Sequence, residues 1–349
     1  MLPVNRSRAL SLAGGLALSL AVALPTLAAA QQADPPPPVP VVPGSEADPP
    51  DAPRGPLLAA PAEMSIRVAG AGDRRIPVNK RAKVLARMKP FVDGEEIRVR
   101  ISRNGKKLKE RTMEVKQVGS RDVGKVKLTS KHLLRSGKYK AKAWHDATPA
   151  QEEDEADAPS FRIKYPNLNP GQRNRSVSLF NRLLRRQAYY VSTGSTYGDP
   201  TRRAVMAFRK ANGMSRNYNA TSKIFQMLAD GKGGYRLARP GLGRHVEVDI
   251  SRQVMVLAQK RRAQHIFHVS TGAPSTPSDR GTYRFYRRDA GYNSIGMYYS
   301  VYYNRGEAIH GYKSVPPYNA SHGCIRNPIP NSRFIYNWVR LGMPIVVHR

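Results

Sequence analysis

The chain has 349 residues, of which 58 are lysine or arginine and 25 are aspartate or glutamate, giving a formal net charge of +33. This length exceeds that of a usual single domain, and the excess of positive charge indicates a polyanionic neighbourhood. A single cysteine excludes a disulfide framework within the chain.

The first 30 residues have the layout of a secretory signal. Arg6 and Arg8 form a short basic start, an apolar run extends over residues 9–24, and small residues follow at Ala28 and Ala30. We expect cleavage near Ala30 and a protein that works outside the cytoplasmic membrane, in the periplasm or outside the cell. An uncleaved anchor is the alternative, although the apolar run is short for a membrane span.

Residues 31–62 are predicted to be a disordered linker. Up to Pro61 they contain eleven prolines, a single basic residue and no aromatic residue. Such a segment cannot bury enough apolar surface to offset the entropy lost on ordering.

Export also argues against nucleic acid as the partner of the positive charge. Anionic wall polymers, anionic lipid surfaces, or a surface that only confers solubility are the alternatives.

Alternating apolar and charged residues over residues 63–166 predict short strands. In residues 97–101 isoleucine and valine alternate with arginine, and residues 104–105 read Asn-Gly, which is a hairpin signal. Several short strands separated by turns predict an immunoglobulin-like β-sandwich, to which we assign no ligand. Residues 151–157 contain five acids and are predicted to be a solvated loop.

Residues 171–233 carry apolar residues at helical spacing and predict a small bundle of three short helices. Residues 197–213 resemble the central signature of the bacterial peptidoglycan-binding domain, and they read YGDPTRRAVMAFRKANG. Arg209 stands where glutamine is usual in that family. The resemblance implies binding to peptidoglycan, and a bundle that is only a spacer is the alternative.

Residues 243–349 are predicted to be mostly β, with a helix over residues 331–341 and a last strand over residues 344–348. Because this region has its own strands and helix, we expect it to fold without the helices before it. The fold class of the whole chain is therefore predicted to be multidomain α+β.

The most informative motif is Ser321-His322-Gly323-Cys324, which contains the only cysteine of the chain. A cysteine attacks as thiolate and needs a positioned base, for which His310 and His322 are the candidates. The amides of His322, Gly323 and Cys324 are predicted to hold an oxyanion, because glycine permits close approach. An imidazolium and converging amides are expected to lower the pKa of such a cysteine.

Three other interpretations of Cys324 stay open: an intermolecular disulfide, an inert buried side chain, and a zinc site shared with His310 and His322. The one-residue gap between His322 and Cys324 is not a common zinc-ligand spacing, and no CxxC or HExxH motif accompanies it. We therefore expect no metal and no cofactor.

These residues resemble the L,D-transpeptidase catalytic domain, the YkuD family. The motifs follow the order of that family, and in this chain they are Val269-Ser270-Thr271-Gly272, Thr276-Pro277, Ile309-His310-Gly311 and Ala320-Ser321-His322-Gly323-Cys324-Ile325-Arg326. The resemblance implies that Cys324 is the nucleophile and that His310 is the general base, oriented by the Gly311 carbonyl. Ser321 and His322 are implied to shape the pocket.

The resemblance further implies that Arg326 pairs with the substrate or with the loop beside the site. Tyr298 and Tyr299 point to opposite faces of any strand, so one is expected to face solvent or substrate while the other packs. Both are candidate substrate-binding residues. Gly281 follows Thr276-Pro277 at a wider interval than is usual in the family, so we expect the loop beside the site to differ.

The family implies an acyl transfer in peptidoglycan. Cys324 takes the acyl group of a tetrapeptide stem at its diaminopimelate residue and expels the terminal D-alanine. An amine of a second stem then leaves a 3→3 cross-link, whereas water as acceptor makes the enzyme an L,D-carboxypeptidase. A noncatalytic wall-binding protein is the alternative from a different class. The expected partners are peptidoglycan stem peptides and glycan at the cell wall, and not nucleic acid.

Overall fold

The computed structural model describes residues 58–349, so the predicted signal segment and most of the predicted linker lie outside the described residues. Within this range the strands are β1 (Glu63–Ala69), β2 (Arg75–Pro77), β3 (Arg81–Lys89), β4 (Glu96–Arg103), β5 (Lys106–Glu114), β6 (Lys116–Val118), β7 (Arg121–His132), β8 (Tyr139–His145), β9 (Asp154–Asp157), β10 (Arg162–Lys164), β11 (His245–Asp249), β12 (Val254–Gln259), β13 (Arg262–His268), β14 (Gly281–Arg284), β15 (Arg287–Tyr292), β16 (Tyr298–Asn304), β17 (Glu307–Tyr312), β18 (Ile325–Pro328) and β19 (Pro344–His348). The helices are α1 (Arg175–Arg186), α2 (Asp199–Ala211), α3 (Ser222–Ala229) and α4 (Ile329–Trp338). None of these helices is both long and apolar enough to cross a membrane.

The first region is built mainly from two four-stranded antiparallel sheets, with strand orders β1-β3-β7-β6 and β5-β4-β8-β9. In β3 and β4 every second side chain is buried, and these side chains form one apolar cluster between the sheets. Asn104 and Gly105 have φ angles of 48° and 80° and connect β4 to β5, as an Asn-Gly hairpin requires. The alternation seen in the sequence thus produces two layers around a shared core.

The acidic segment 151–157 differs from the predicted solvated loop. Asp154–Asp157 forms β9, an edge strand paired with β8, and Gln151 is fully buried. Glu155 points outward and lies 2.5 Å from the amine of Lys142 on β8. High charge does not exclude a strand at a sheet edge, because its outward side chains stay in water.

The three helices α1 to α3 lie where the apolar spacing predicts them. Asn174 and Thr221 cap α1 and α3, since their side-chain oxygens accept hydrogen bonds from the amides of Val177 and Ile224 at 3.0 and 3.5 Å. Pro200 lies in the first turn of α2, where backbone amides have no acceptor within the helix. Proline suits this position because it has no amide hydrogen to leave unpaired. The buried faces of the three helices share one apolar cluster.

The C-terminal region contains a five-stranded sheet of order β13-β12-β11-β19-β14 and a four-stranded sheet of order β15-β16-β17-β18. Apolar residues of both sheets and of α4 form a second cluster. Helix α4 stops at Trp338, short of the predicted end at residue 341, because Val339 is already extended with ψ 144°. This cluster covers only one face of β12 and β13.

The other face of β12 and β13 is covered by the helices. Val254, Val256 and Ile266 belong to the same apolar cluster as Phe208 of α2. The C-terminal region therefore does not cover its own apolar surface. The expectation that it folds without the preceding helices does not agree with this shared core.

A buried lysine also joins α2 to the C-terminal region. Lys210 is 2% exposed, and its Nζ donates a hydrogen bond of 2.7 Å to the Val269 carbonyl, just after β13. Burial lowers the pKa of the Lys210 amine well below its ordinary value. A polar contact thus joins α2 to the segment that follows β13.

Candidate active site

The two candidate catalytic residues lie on or beside neighbouring parallel strands, β17 and β18. The register pairs Ile309 with Ile325 and His310 with Arg326. Because side chains alternate between the two faces of a strand, His310 and Arg326 project from one face. Cys324 precedes Arg326 by two positions and shares that face. The two isoleucines project from the other face into the apolar cluster that includes residues of α4.

A cavity of about 220 Å³ opens on the face that carries His310. Its lining side chains are Ile295, Met297, His310, Tyr312, Ser321, His322, Cys324 and Arg326. His310 and Ser321 are buried, Cys324 is half-buried, and His322 is exposed. The structure therefore brings both candidate bases and the candidate nucleophile around one small opening.

The loop that ends at Cys324 is anchored by the segment after β13. The Ser321 amide donates a hydrogen bond of 3.0 Å to the Thr271 carbonyl, and the amides of Ser270 and Arg326 donate to each other's carbonyls at 2.9 Å. The Ser321 hydroxyl donates to the Cys324 carbonyl. Motifs about fifty residues apart in the sequence are thus joined through their backbones.

Two glycines allow this close approach. A Cβ at Gly272 would lie 2.3 Å from the carbonyl oxygen of Thr276, so a larger residue does not fit there. Gly323 has a φ of +110°, a conformation that other residues rarely adopt. Ser278 connects the two glycines, because its Oγ accepts from the Gly272 amide at 2.9 Å and donates to the Gly323 carbonyl at 2.5 Å.

Three consecutive amides of this loop have no protein acceptor. Within residues 58–349, the amides of His322, Gly323 and Cys324 donate no hydrogen bond, whereas those of Ser321 and Arg326 do. Adjacent unpaired amides beside a half-buried thiol can stabilise negative charge that develops on a bound carbonyl oxygen.

The ring of His310 is held in one orientation. Its Nδ1 lies 3.0 Å from the Gly311 carbonyl oxygen, so Nδ1 donates and the neutral ring keeps Nε2 as an acceptor. Burial lowers the pKa of His310 to about 4, and the positive charge of Arg326 acts in the same direction. The imidazole is therefore neutral at neutral pH and able to accept a proton.

The thiol of Cys324 is protonated at neutral pH. Burial raises the pKa of Cys324 and the Glu307 carboxylate raises it further, although the Ala308 backbone and Arg326 oppose this shift. The thiol lies 3.8 Å from the Gly306 carbonyl oxygen and donates to it. The resting pair is a neutral thiol and a neutral imidazole, contrary to the expected lowering of the cysteine pKa. Burial penalises the charged forms of both groups.

Comparison with protein families gives a match over this region of the chain. Residues 243–347 belong to the YkuD family, the L,D-transpeptidase catalytic domain. The comparison with curated proteins gave no match.

Several solved structures are similar to the chain. An L,D-transpeptidase from Xylanimonas cellulosilytica is 25% identical with a TM-score of 0.49, over 53% of this chain and 97% of that one. A mutant of the Enterococcus faecium L,D-transpeptidase is 21% identical with a TM-score of 0.28, over 30% of this chain. This chain spans about half the length of that protein, 49%. An L,D-transpeptidase from Mycobacterium tuberculosis is 11% identical with a TM-score of 0.29, over 81% of this chain and 97% of that one.

In the transpeptidase domain, Arg326 lies along the wall of the cavity. Its guanidinium stacks 4.3 Å from the ring centre of Tyr312, and that ring meets the His310 ring edge-on at 5.7 Å. Tyr312 was missed by the sequence analysis. Its position two residues after His310 on a strand places it on the same face, and this spacing is the signal that could have found it.

Tyr298 and Tyr299 do not line the cavity of the transpeptidase domain. Tyr298 packs against Tyr292 with 4.5 Å between ring centres, and Tyr299 packs against Tyr336 at 5.0 Å. Tyr299 has a φ of 49°, where the pairing of β16 with β17 is irregular. Alternation along a regular strand does not hold at such an irregularity. Met297, which precedes these tyrosines, lines the cavity instead.

Glu307 is a second residue that the sequence analysis missed. Its carboxylate accepts a hydrogen bond of 3.0 Å from the Asp279 amide, in the loop before β14. Burial raises the pKa of Glu307. No motif marks this residue, because its charge effect on the Cys324 thiol and its hydrogen bond to the loop both arise from the fold.

Within the described part of the chain, no group of three or more histidine, cysteine, aspartate or glutamate side chains is placed to hold a metal ion. His310, His322 and Cys324 border one cavity without forming such a group. A thiol, a neutral imidazole and unpaired amides around one cavity are groups that an acyl transfer can use.

Proposed function

We propose that this protein is a peptidoglycan L,D-transpeptidase whose nucleophile is Cys324 and whose general base is His310. One observation carries the proposal. The only cysteine of the chain is half-buried in a cavity that it shares with a neutral, oriented imidazole, beside three unpaired amides. The family match of residues 243–347 supports the reaction type.

The first step forms a thioester. Nε2 of His310 takes the proton of Cys324 as Sγ attacks the carbonyl of the diaminopimelate residue in a tetrapeptide stem. The amides of His322, Gly323 and Cys324 stabilise the negative oxygen of the tetrahedral intermediate. The carbon–nitrogen bond to the terminal D-alanine then breaks, and the His310 proton passes to the leaving amine.

The second step resolves the thioester. A side-chain amine of a second stem attacks the thioester carbonyl and loses its proton to His310, the new amide bond forms a 3→3 cross-link, and Cys324 leaves as thiol. Water in place of the amine gives a shortened stem and makes the enzyme an L,D-carboxypeptidase. The two outcomes share the first step.

The neutral resting pair determines how the thiol is activated. A stable thiolate does not wait in the site, because burial raises the pKa of Cys324. Proton transfer to His310 therefore accompanies the attack rather than preceding it. Such a site keeps the thiol less reactive towards other electrophiles until a substrate carbonyl reaches the amides.

We extend the proposal to the rest of the chain. Residues 1–30 direct export, residues 31–62 act as a tether, residues 63–166 form an immunoglobulin-like sandwich, and residues 171–233 retain the protein on peptidoglycan. The catalytic domain over residues 243–349 then works at the cell wall, outside the cytoplasmic membrane. The signature at residues 197–213 supports the retention step.

Two measurements on the full chain test the reaction. Intact-mass spectrometry after a carbapenem should show one adduct, mapped by peptide digestion to Cys324. Purified disaccharide tetrapeptides should then give dimers with a 3→3 bond and free D-alanine. Shortened stems without dimers would show that the enzyme is a carboxypeptidase and not a transpeptidase. The absence of both an adduct and any product would overturn the enzyme assignment.

A further inference from the structure

The outer face of one sheet of the first region is almost entirely basic, and we call it the basic face. The sheet is β1-β3-β7-β6. Exposed lysines and arginines occupy many of the alternate positions that point away from the core, and seven of them define this face: Arg67, Lys83, Arg87, Lys89, Lys116, Lys125 and Lys127. One carboxylate shares the face, that of Glu63, which is opposite Lys89 at the end of the strands. We propose that this face binds a linear polymer of repeated phosphate groups that carries no bases.

The register places like charges directly against each other. Arg87 pairs with Lys125, and Lys125 pairs with Lys116, so three cations lie side by side across three strands. Neighbouring strands are about 4.8 Å apart, and like charges directly opposite destabilise a sheet. The repulsion between these cations destabilises the free protein, whereas a bound polyanion would neutralise their charge.

None of the seven cations makes an ion pair within residues 58–349. The opposite sheet, β5-β4-β8-β9, shows the contrast. On its outer face Arg100 pairs with Glu110, Arg98 lies 2.6 Å from Asp146, and Lys142 meets Glu155. Both outer faces carry several cations, and among the described residues of these two sheets the ion pairs occur on the face of β5-β4-β8-β9.

The basic face continues into an open cavity at its β6 edge. The cavity has a volume of about 770 Å³, and Lys116, Lys125 and Lys127 line it together with the single carboxylate of Glu114. From Lys83 to Lys89 along β3 the face extends for about 20 Å, at about 3.3 Å per residue. A flexible chain with a charge every few ångströms can therefore contact several of these cations at once.

The side chains between the cations indicate which polyanion fits. They include Ser65, Ala69, Leu85, Val118, Val123 and Thr129, as the strand register and alternation place them. No aromatic side chain occurs among these outward positions, so the face offers no platform for stacking nucleic-acid bases. Its apolar residues Leu85, Val118 and Val123 are half-buried, so they are not the exposed anchors that hold a helix or a loop in a lipid surface. Five of the seven cations are lysines, which bind single phosphates as point charges.

This inference does not depend on the proposed catalytic function, because the basic face contains no residue of the transpeptidase domain. The polymer binds through charge, so its affinity must fall with ionic strength, since exposed charges are screened beyond about 8 Å at physiological salt. Binding must also follow the position of the charges rather than the net charge of the chain.

The test compares two variants of the full chain with the same change in net charge. One variant is Arg87→Gln with Lys116→Gln, Lys125→Gln and Lys127→Gln, on the basic face. The control is Arg100→Gln with Lys107→Gln, Lys140→Gln and Lys142→Gln, on the opposite sheet. Fluorescence anisotropy measures binding to labelled long-chain inorganic polyphosphate at low and high salt, and circular dichroism with thermal melting checks that both variants fold.

We expect the basic-face variant to lose at least about tenfold in polyphosphate affinity and the control to lose less than about threefold. A further variant that changes the same three lysines to arginine should retain binding. Equal losses in the two glutamine variants would overturn the inference, because they would show attraction by net charge alone. Tighter binding of single-stranded oligothymidylate, polygalacturonate or phosphatidylglycerol vesicles than of polyphosphate would also overturn it. If the basic-face glutamine variant does not fold, loss of polyphosphate binding in the arginine variant would overturn the inference.

Discussion

The two faces of the β17–β18 strand pair differ in what their residues do. One face carries His310 and Cys324 around an open cavity, and the other carries Ile309 and Ile325 in a closed apolar cluster. Adjacent residues of the same strand therefore have different roles, one at the candidate site and the other in the apolar cluster. Residues on the cavity face are expected to control reaction rate, and residues on the cluster face are expected to control stability.

The largest expected effect is that of Cys324→Ala, on the cavity face. Removal of the only thiol should abolish the carbapenem adduct and the formation of dimers, while the melting temperature stays close to that of the parent chain. Intact-mass spectrometry and thermal melting measure the two quantities. Any remaining transpeptidation by folded Cys324→Ala would show that another group is the nucleophile.

His310→Ala should lower the rate of acylation by about 10²- to 10⁴-fold, the range that a general base supplies. His322→Ala is the matched control, because His322 is exposed at the same cavity and its loss should have a much smaller effect. Stopped-flow measurement of acylation by a carbapenem gives both rates. A larger loss for His322→Ala would reverse the two roles.

On the cluster face, Ile325→Ala should lower the free energy of unfolding by about 2–5 kcal/mol, because Ile325 is fully buried and the change leaves a cavity. Arg326→Gln, at the next position, is the control and should change stability less. Urea denaturation followed by fluorescence compares them. A stability loss for Arg326→Gln as large as that for Ile325→Ala would remove the distinction between the two faces.

The pH dependence of acylation tests the neutral resting pair. His310 has a pKa of about 4, so it loses its proton as the pH rises through that value and becomes a competent base. The acylation rate should therefore be flat across about pH 6 to 8 and should fall as the pH drops towards 4. A falling limb centred well above pH 5 would instead indicate a thiolate–imidazolium pair.

The smallest expected effect is that of Glu307→Gln, which removes the negative charge that raises the pKa of Cys324. The amide oxygen of glutamine can still accept from the Asp279 amide. The pH profile of alkylation by iodoacetamide should move to lower pH, with a rate at pH 8 that rises a few-fold. An unchanged profile would show that the Glu307 carboxylate does not raise the pKa of this thiol.

The sequence was sufficient to predict many of the elements, because their patterns are local. The Asn-Gly pair at residues 104–105 and the apolar spacing of α1 to α3 depend only on neighbours in the chain. The motif order around Cys324 led to the family that residues 243–347 match. The roles of Cys324 and His310 are still predictions that the experiments above address.

Other properties depend on contacts that no local pattern contains. The pKa of Cys324 is raised by burial and by Glu307, and both depend on how the chain packs. The irregular pairing at Tyr299 turns two tyrosines away from the cavity. The shared cluster of α2 with β12 and β13 unites residues that the sequence divides between two predicted domains. In each case the deciding partner is distant in the chain.

The contact between Lys210 and the Val269 carbonyl limits how this protein can be recombined. Domain exchange between proteins usually succeeds where few contacts cross the boundary. Here a buried amine has its acceptor on the other side, one residue before Ser270, whose backbone pairs with Arg326. A catalytic domain grafted behind a different helical module would lack this donor and would expose Val254, Val256 and Ile266. We therefore expect the helices and the catalytic domain to keep their stability only when they are transplanted together.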